Sequence, residues 1–202
     1  MNIIKRYSIP ILLILIGALL MLAGCYNQFG EETQHYFIKK GDHHAMLANQ
    51  AMLMKHTISA NPPNPMAFNA VFGDGCDYHL DGGNKVHANK LTGFSLGFKH
   101  RKWSGRIGWI YNEQEYLMDI YGYSWINGQR YITYITSIST HEYIDYIVEA
   151  DSEGFTYTAN DITVRVDGDL SSVIHKTRYR LYPYFGGHAK APQDMRIMIN
   201  EY

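Results

Sequence analysis

From Leu91 onward the chain is a succession of short alternating segments cut at regular intervals by turn residues, and no other feature restricts its fold so tightly. Candidate strands lie at Thr92–Phe98, Gly105–Tyr111, Tyr116–Ile126, Tyr131–Ile138, Tyr143–Ala150, Gly154–Thr158, Ile162–Val166, Tyr179–Tyr184 and Met195–Asn200. Asn112-Glu113-Gln114, Asn127-Gly128, Asp151-Ser152-Glu153, Asp167-Gly168-Asp169 and Gly186-Gly187 stand between most of them. Asn127-Gly128 is the sharpest hairpin signal, because both residues tolerate the positive φ of a tight two-residue turn. Earlier in the chain, His35–Lys39 and Met66–Phe72 also read as strands. Ala45–Lys55 fits a short helix or an irregular strand, and Asn61-Pro62-Pro63-Asn64-Pro65 ends it, since Pro lacks a donor and constrains its predecessor. Strands spaced by roughly 8–12 residues, with almost no amphipathic helix, predict an all-β antiparallel sandwich of jelly-roll-like layout. The 17 Tyr and 18 Gly suit strands joined by tight turns.

Alternation assigns faces within these strands. Ile107, Trp109 and Tyr111 share one face, with Arg106 and Gly108 opposite. In the next strand Met118, Ile120 and Gly122 form the core side, while Asp119, Tyr121, Tyr123 and Trp125 form a polar-aromatic stripe. Tyr131–Ile138 mixes aromatic and aliphatic residues on both faces and has no clear orientation.

The N-terminus is an address. Lys5 and Arg6 precede an apolar run from Ile11 to Met21, followed by small residues, as in a secretory signal; the run is short for a bilayer span. Leu22-Ala23-Gly24-Cys25 resembles the lipobox of bacterial lipoproteins. That resemblance implies a signal peptide over residues 1–24, acylation at Cys25 (a diacylglycerol on sulfur, a further chain on the new amino group), a tether over 25–34 and one β-sandwich domain over 35–202. Several acyl chains anchor firmly where one does not. Tyr26 stands where an Asp favours inner-membrane retention, so the expected location is extracytoplasmic, at the envelope, on the outer membrane of a Gram-negative cell. Glu31-Glu32 loosely resembles an acidic surface-export tag.

Removing a leader that holds Lys5 and Arg6 but no acid takes the formal charge from −1 to −3. With no basic block, the footprint of a nucleic-acid binder is missing. With Cys25 acylated, Cys76 has no disulfide partner within the chain, and nothing near it in sequence resembles an activating base; it is expected to be buried and inert.

Asn89-Lys90-Leu91-Thr92-Gly93-Phe94-Ser95, Arg106-Ile107-Gly108-Trp109, Leu181-Tyr182-Pro183-Tyr184-Phe185-Gly186-Gly187 and Ala191-Pro192-Gln193-Asp194-Met195 resemble a group of secreted or lipoprotein β-sandwich proteins of bacteria. More distantly, the layout is similar to jelly-roll, concanavalin-like domains of polysaccharide-binding modules and lyases. These resemblances imply a fold and transfer no residue role; the alginate-lyase-type motifs are absent.

Three constellations remain as candidates. Tyr121, Tyr123 and Trp125, with Tyr184 and Trp103 as possible neighbours, offer ring faces to sugars, while Arg106 and Asp119 would hold hydroxyls or carboxylates; the same rings equally suit half-buried packing. His100, Arg106 and Tyr121 supply the residue types of a lyase or hydrolase centre, a base and a cation to neutralise a uronate carboxylate. Asp77 and Asp81 lie in a Gly/Asp loop, Gly73–Asn84, with the look of a structural calcium site, although Ala88 stands where an EF-hand needs its bidentate Glu. No zinc spacing, phosphate loop or nucleophile elbow occurs, and no other cofactor is expected. Tyr182–Gly187 reads chiefly as a structural turn before the last strand, with Tyr184 and His188 as an alternative groove wall. The leading expectation is a lipid-anchored protein that binds a glycan or similar polar ligand without catalysis. A polysaccharide lyase or hydrolase, and an assembly lipoprotein that contacts another envelope protein, are the alternatives.

Overall fold

The structure, a computed structural model, describes residues 33–47, 61–80 and 87–202. The signal peptide, Cys25, Glu31-Glu32, most of the tether, most of Ala45–Lys55 and Asp81 lie outside the described residues. In chain order the strands are β1 (Gln34–Ile38), β2 (Met46–Leu47), β3 (Met66–Phe72), β4 (Asn89–Leu96), β5 (Trp103–Asn112), β6 (Leu117–Ile126), β7 (Gln129–Ile138), β8 (Ile144–Asp151), β9 (Gly154–Ala159), β10 (Ile162–Asp167), β11 (Arg178–Leu181) and β12 (Met195–Glu201). Among the described residues there is no helix.

Two antiparallel sheets face each other. One has seven strands in the order β10-β9-β8-β3-β12-β1-β2, the other five in the order β11-β4-β5-β6-β7. The chain runs two meanders, β4 to β7 in the small sheet and β8 to β10 in the large one. It then crosses to β11 and back to β12, so its last strands insert among its first in the jelly-roll-like manner expected. Asn127 and Gly128, with φ of 50° and 83°, close the β6–β7 hairpin directly between the Ile126 and Gln129 pair.

Alternation sends Phe68, Phe72, Tyr146 and Val148 of the large sheet and Phe94, Ile107, Trp109, Met118 and Ile120 of the small one into a shared core. Across the interface the Phe72 and Trp109 rings lie 5.1 Å apart, and Phe94 and Phe155 6.2 Å. Each fully buried large side chain of this kind contributes about 1.5–3 kcal/mol. Two aromatics of β9 lodge over glycines of the opposing sheet: a Cβ on Gly105 would meet the Phe155 ring at 2.4 Å, and one on Gly122 the Tyr157 ring at 2.4 Å. The Tyr157 hydroxyl is satisfied by Ser124 at 2.7 Å.

Two bulges account for strands whose pattern is irregular in sequence. In β7 the register slips beside Ile120/Tyr121, so Ile135 and Ile138 face the core while Ile132 and Tyr134 stay exposed on the outside. That slip is why both faces of Tyr131–Ile138 look mixed. In β4 the register slips between Lys90 and Gly93, so Lys90 opposes Gly108 and Gly93 opposes Arg106. Three residues span what two span opposite, and Lys90 turns to the outer face beside Arg106 instead of into the core. The expected strand Tyr179–Tyr184 is regular only to Leu181; Tyr184 instead forms isolated bridges to His44 and Lys90.

Cys76 is fully buried, and its thiol donates to the Arg196 carbonyl at 3.3 Å. Burial pushes its pKa far above the ordinary thiol value, which suits the inert role expected of it.

Candidate functional site

The outer face of the five-stranded sheet carries a cavity of about 550 Å³. Its floor comes from three adjacent strands: Lys90 on β4, Ser104 and Arg106 on β5, Tyr123 and Trp125 on β6. Arg130, paired with Trp125 across the β6–β7 hairpin, extends it onto β7. One wall is Leu181-Tyr182-Pro183-Tyr184 with His44, His87, Gly187 and His188; the other is His100 and Arg101.

The first wall is held firmly. Lys90 and Tyr184 exchange two backbone hydrogen bonds, each 2.9 Å, and the Phe185 amide donates to the His43 carbonyl at 2.8 Å. Buried Asn89 accepts from the Gly186 amide at 2.7 Å and donates to the Tyr78 hydroxyl at 2.8 Å. Gly186 packs where a Cβ would fall 2.3 Å from the Ala88 carbonyl. The turn expected at Tyr182–Gly187 is rigid, and it places Tyr184 and His188 in the lining of the cavity. The Tyr184 ring stacks on His43 at 5.3 Å and meets the edge of His44 at 4.9 Å.

Arg106 is buried at the centre of the floor. Its Nη2 donates to the Tyr182 carbonyl, which ties the guanidinium to the wall, while its Nε has no partner. Burial lowers its pKa to about 10, with Tyr123 and Tyr184 opposing the shift, so it remains a cation at neutral pH. The Lys90 ammonium stands 4.6 Å from the Tyr123 ring centroid and 5.6 Å from that of Tyr184. Burial first, then the charges of Arg106, Arg130 and Arg101, push the Lys90 pKa down to about 7. His100 sits at the rim, largely exposed; partial desolvation, then Arg106 and Arg101, lower its pKa below the ordinary imidazole value. No carboxylate is found among the described residues lining the cavity.

The expected site residues separate into two groups. Arg106, Tyr123, Trp125, Tyr184 and His100 come together at the cavity. Asp119 and Tyr121 share the outer face but lie further along β6, outside the described lining, so the trio His100, Arg106 and Tyr121 is not assembled. Asp119 instead accepts from Ser137 at 2.6 Å, and Ser137 in turn contacts the Tyr134 hydroxyl at 2.8 Å. Tyr121 packs edge-on to Tyr134 at 5.7 Å; partial burial and then Asp119 raise its pKa, which disfavours a phenolate. Within the cavity, Tyr123 is buried beneath Lys90, which leaves Trp125 and Tyr184 as the aromatic surfaces in reach of a ligand. Trp103 is partly buried against the core and lies outside the described lining.

Lys90 and Arg130 went unread from sequence. Strict alternation back from Phe94 places Lys90 on the core side; the isolated Gly93 was the only sign of the bulge that reverses it. Arg130 follows from the Asn127-Gly128 hairpin register, which sets it opposite Trp125.

Of the calcium loop, Asp77 is exposed and its carbonyl accepts from Gln193 at 3.3 Å, while His79 pairs with Glu113 at 2.5 Å. Among the described residues no three His, Cys, Asp or Glu side chains converge as a metal site.

The fold and site together define an antiparallel β-sandwich with a basic, aromatic-lined cavity on the outer face of its smaller sheet. Its likeness to solved structures is remote. A GH16 protein of Bacteroides ovatus, from a mixed linkage glucan system and holding a product, aligns with TM-score 0.41 and 11% identity over 83% of this chain and 77% of that one. The carbohydrate binding module CBM66 from Bacillus subtilis aligns with TM-score 0.33 and 10% identity over 80% and 82%. The kappa-carrageenase of Pseudoalteromonas carrageenovora, in complex with an oligotetrasaccharide, gives 0.35 and 8% over 84% and 78%. No residue role passes across similarities of this size. No protein-family profile and no curated protein matches the sequence.

Proposed function

We propose that the protein is held at the bacterial envelope by acylation of Cys25 and binds a glycan, without catalysis, in the cavity on the five-stranded sheet. One observation carries this reading: a rigidly walled cavity sets the aromatic surfaces of Trp125 and Tyr184 beside the buried donor Arg106. Flat rings take up sugar C–H faces, and a guanidinium fixed by a backbone carbonyl meets hydroxyl or acid groups without further ordering. The test is affinity electrophoresis against a panel of soluble polysaccharides. Retardation that is lost in Trp125→Ala but kept in Tyr121→Ala supports the assignment; retardation insensitive to Trp125→Ala refutes this cavity as the site.

A lyase is the second reading. It is favoured by Lys90 and His100, two nitrogen bases with lowered pKa values, sharing a cavity with Arg106. Release of unsaturated ends from a polyuronate, abolished by Lys90→Met, would replace the binding reading with an enzymatic one. Paired-carboxylate hydrolysis has no such support, since the described lining offers no acid.

A further inference from the structure

We infer that the cavity selects acidic sugars, with carboxylate- or sulfate-bearing rings seated against Lys90, Arg106 and Arg130. This rests on the glycan reading above and names its ligand class.

The positive charge of this cavity is uncompensated among the described residues. Arg101 and Arg130 add two exposed cations to Lys90 and Arg106, and among the described residues none of the four forms an ion pair with a carboxylate. Two arginines elsewhere are neutralised. Arg165 is bonded to Asp151 at 2.8 Å and Asp167 at 2.9 Å, and Arg180 pairs with Glu201 across the two sheets. The chain has more acids than bases, so a basic cluster is not a by-product of composition. Placing these cations together costs Coulomb energy in the free protein, and an anion relieves that cost.

Their placement fits a repeating acidic chain better than a single ion. Lys90, Arg106 and Arg130 lie on β4, β5 and β7 of one sheet face at the levels of Gly108, Arg106 and Ser104, so they form a diagonal of about 14 Å across the strands and about 13 Å along them. Trp125 stands between Ser104 and Arg130 in the cross-strand register, the next pair on that face after Arg106 and Tyr123, next to where successive acidic groups would be held. A lone phosphate makes no use of that ring, and a flat lipid surface does not enter a walled cavity.

The test compares matched ligands by isothermal titration calorimetry on the whole protein. The probes are oligogalacturonate against its fully methyl-esterified form, and a sulfated galactan oligosaccharide against its desulfated form. Arg106 is avoided because it is buried and ties floor to wall; Lys90→Met and the exposed Arg130→Ala are used instead. At least one acidic member is expected to bind ten-fold or more tighter than its neutral counterpart. Each variant is expected to lose five-fold or more of that affinity and to narrow the gap between the acidic and neutral members; a gap that stays as wide in both variants overturns the assignment to Lys90 and Arg130. Equal affinity for acidic and neutral members overturns the charge selectivity and leaves glycan binding standing. Binding of no member of the panel, acidic or neutral, overturns both readings. Competition by inorganic sulfate, or by anionic phospholipid vesicles, as strong as that of the acidic oligosaccharide overturns the assignment to sugars.

Discussion

Lys90 shows how one side chain acquires unusual behaviour from its neighbours. An exposed lysine stays charged far above neutrality, but here burial and three guanidinium groups bring its pKa to about 7. The unfolded chain binds this proton more tightly than the folded one, so the cost of holding it is fully present below pH 7 and is relieved as pH rises from about 7 toward 10.5. Lys90→Met is therefore expected to raise the melting temperature at pH 6 and to have little effect near pH 10, as followed by scanning calorimetry. An equal shift at both values would show that the amine is not strained. An anionic ligand reverses the bias: near pH 7.5 its binding should take up a fraction of a proton, visible as a dependence of titration heat on buffer ionisation enthalpy. In Lys90→Met that dependence should shrink.

At the level of elements, the sandwich is set by which strand faces are hollow as much as by which are apolar. Gly105 and Gly122 on β5 and β6 make room for Phe155 and Tyr157 of β9, and both rings are fully buried with no space to withdraw. Gly122→Ala drives a Cβ into the Tyr157 ring, and overpacking of this kind costs about 1–3 kcal/mol. Urea denaturation should show a lowered midpoint at unchanged slope, and a midpoint equal to that of the wild type would mean the sheets separate easily. The β6–β7 turn makes a second test of the same kind. Gly128 has φ of 83°, and a branched residue such as Val there costs about 1–2 kcal/mol. The bulge in β4 has a different role: it costs regular pairing and turns Lys90 to the outer face beside Arg106, so the cavity owes one of its cations to an irregularity of the strand.

Over the whole molecule, charge is segregated. The chain is slightly acidic, yet one cavity of the smaller sheet holds Lys90, Arg101, Arg106 and Arg130 without a carboxylate among the described lining residues. Attraction for an acidic polymer should therefore weaken with salt, most at the exposed Arg101 and Arg130 and least at buried Arg106. Tethering through Cys25 would hold this cavity at the membrane surface and gather polymer there. Cys25→Ser is expected to abolish incorporation of labelled palmitate and to release the protein to the soluble fraction; labelling that persists would exclude the lipobox reading.

Much of the fold was legible in the sequence, since strand alternation and turn residues are local signals. The strands from Met66–Phe72 onward, the Asn127-Gly128 hairpin, the core faces of β5 and β6 and the outward set Arg106, Tyr123 and Trp125 needed nothing beyond neighbours along the chain. Three things needed the tertiary structure. A bulge inverts every side chain beyond it, so the direction of Lys90 depended on the pairing of β4 with β5. Distance along a strand decided that Asp119 and Tyr121 fall outside the cavity although they share its face. The wall that brings Tyr184 over Lys90 is formed by segments more than ninety residues apart, joined by backbone hydrogen bonds that no local pattern encodes. Local chemistry determined which residues could face outward, and long-range pairing determined which of them meet.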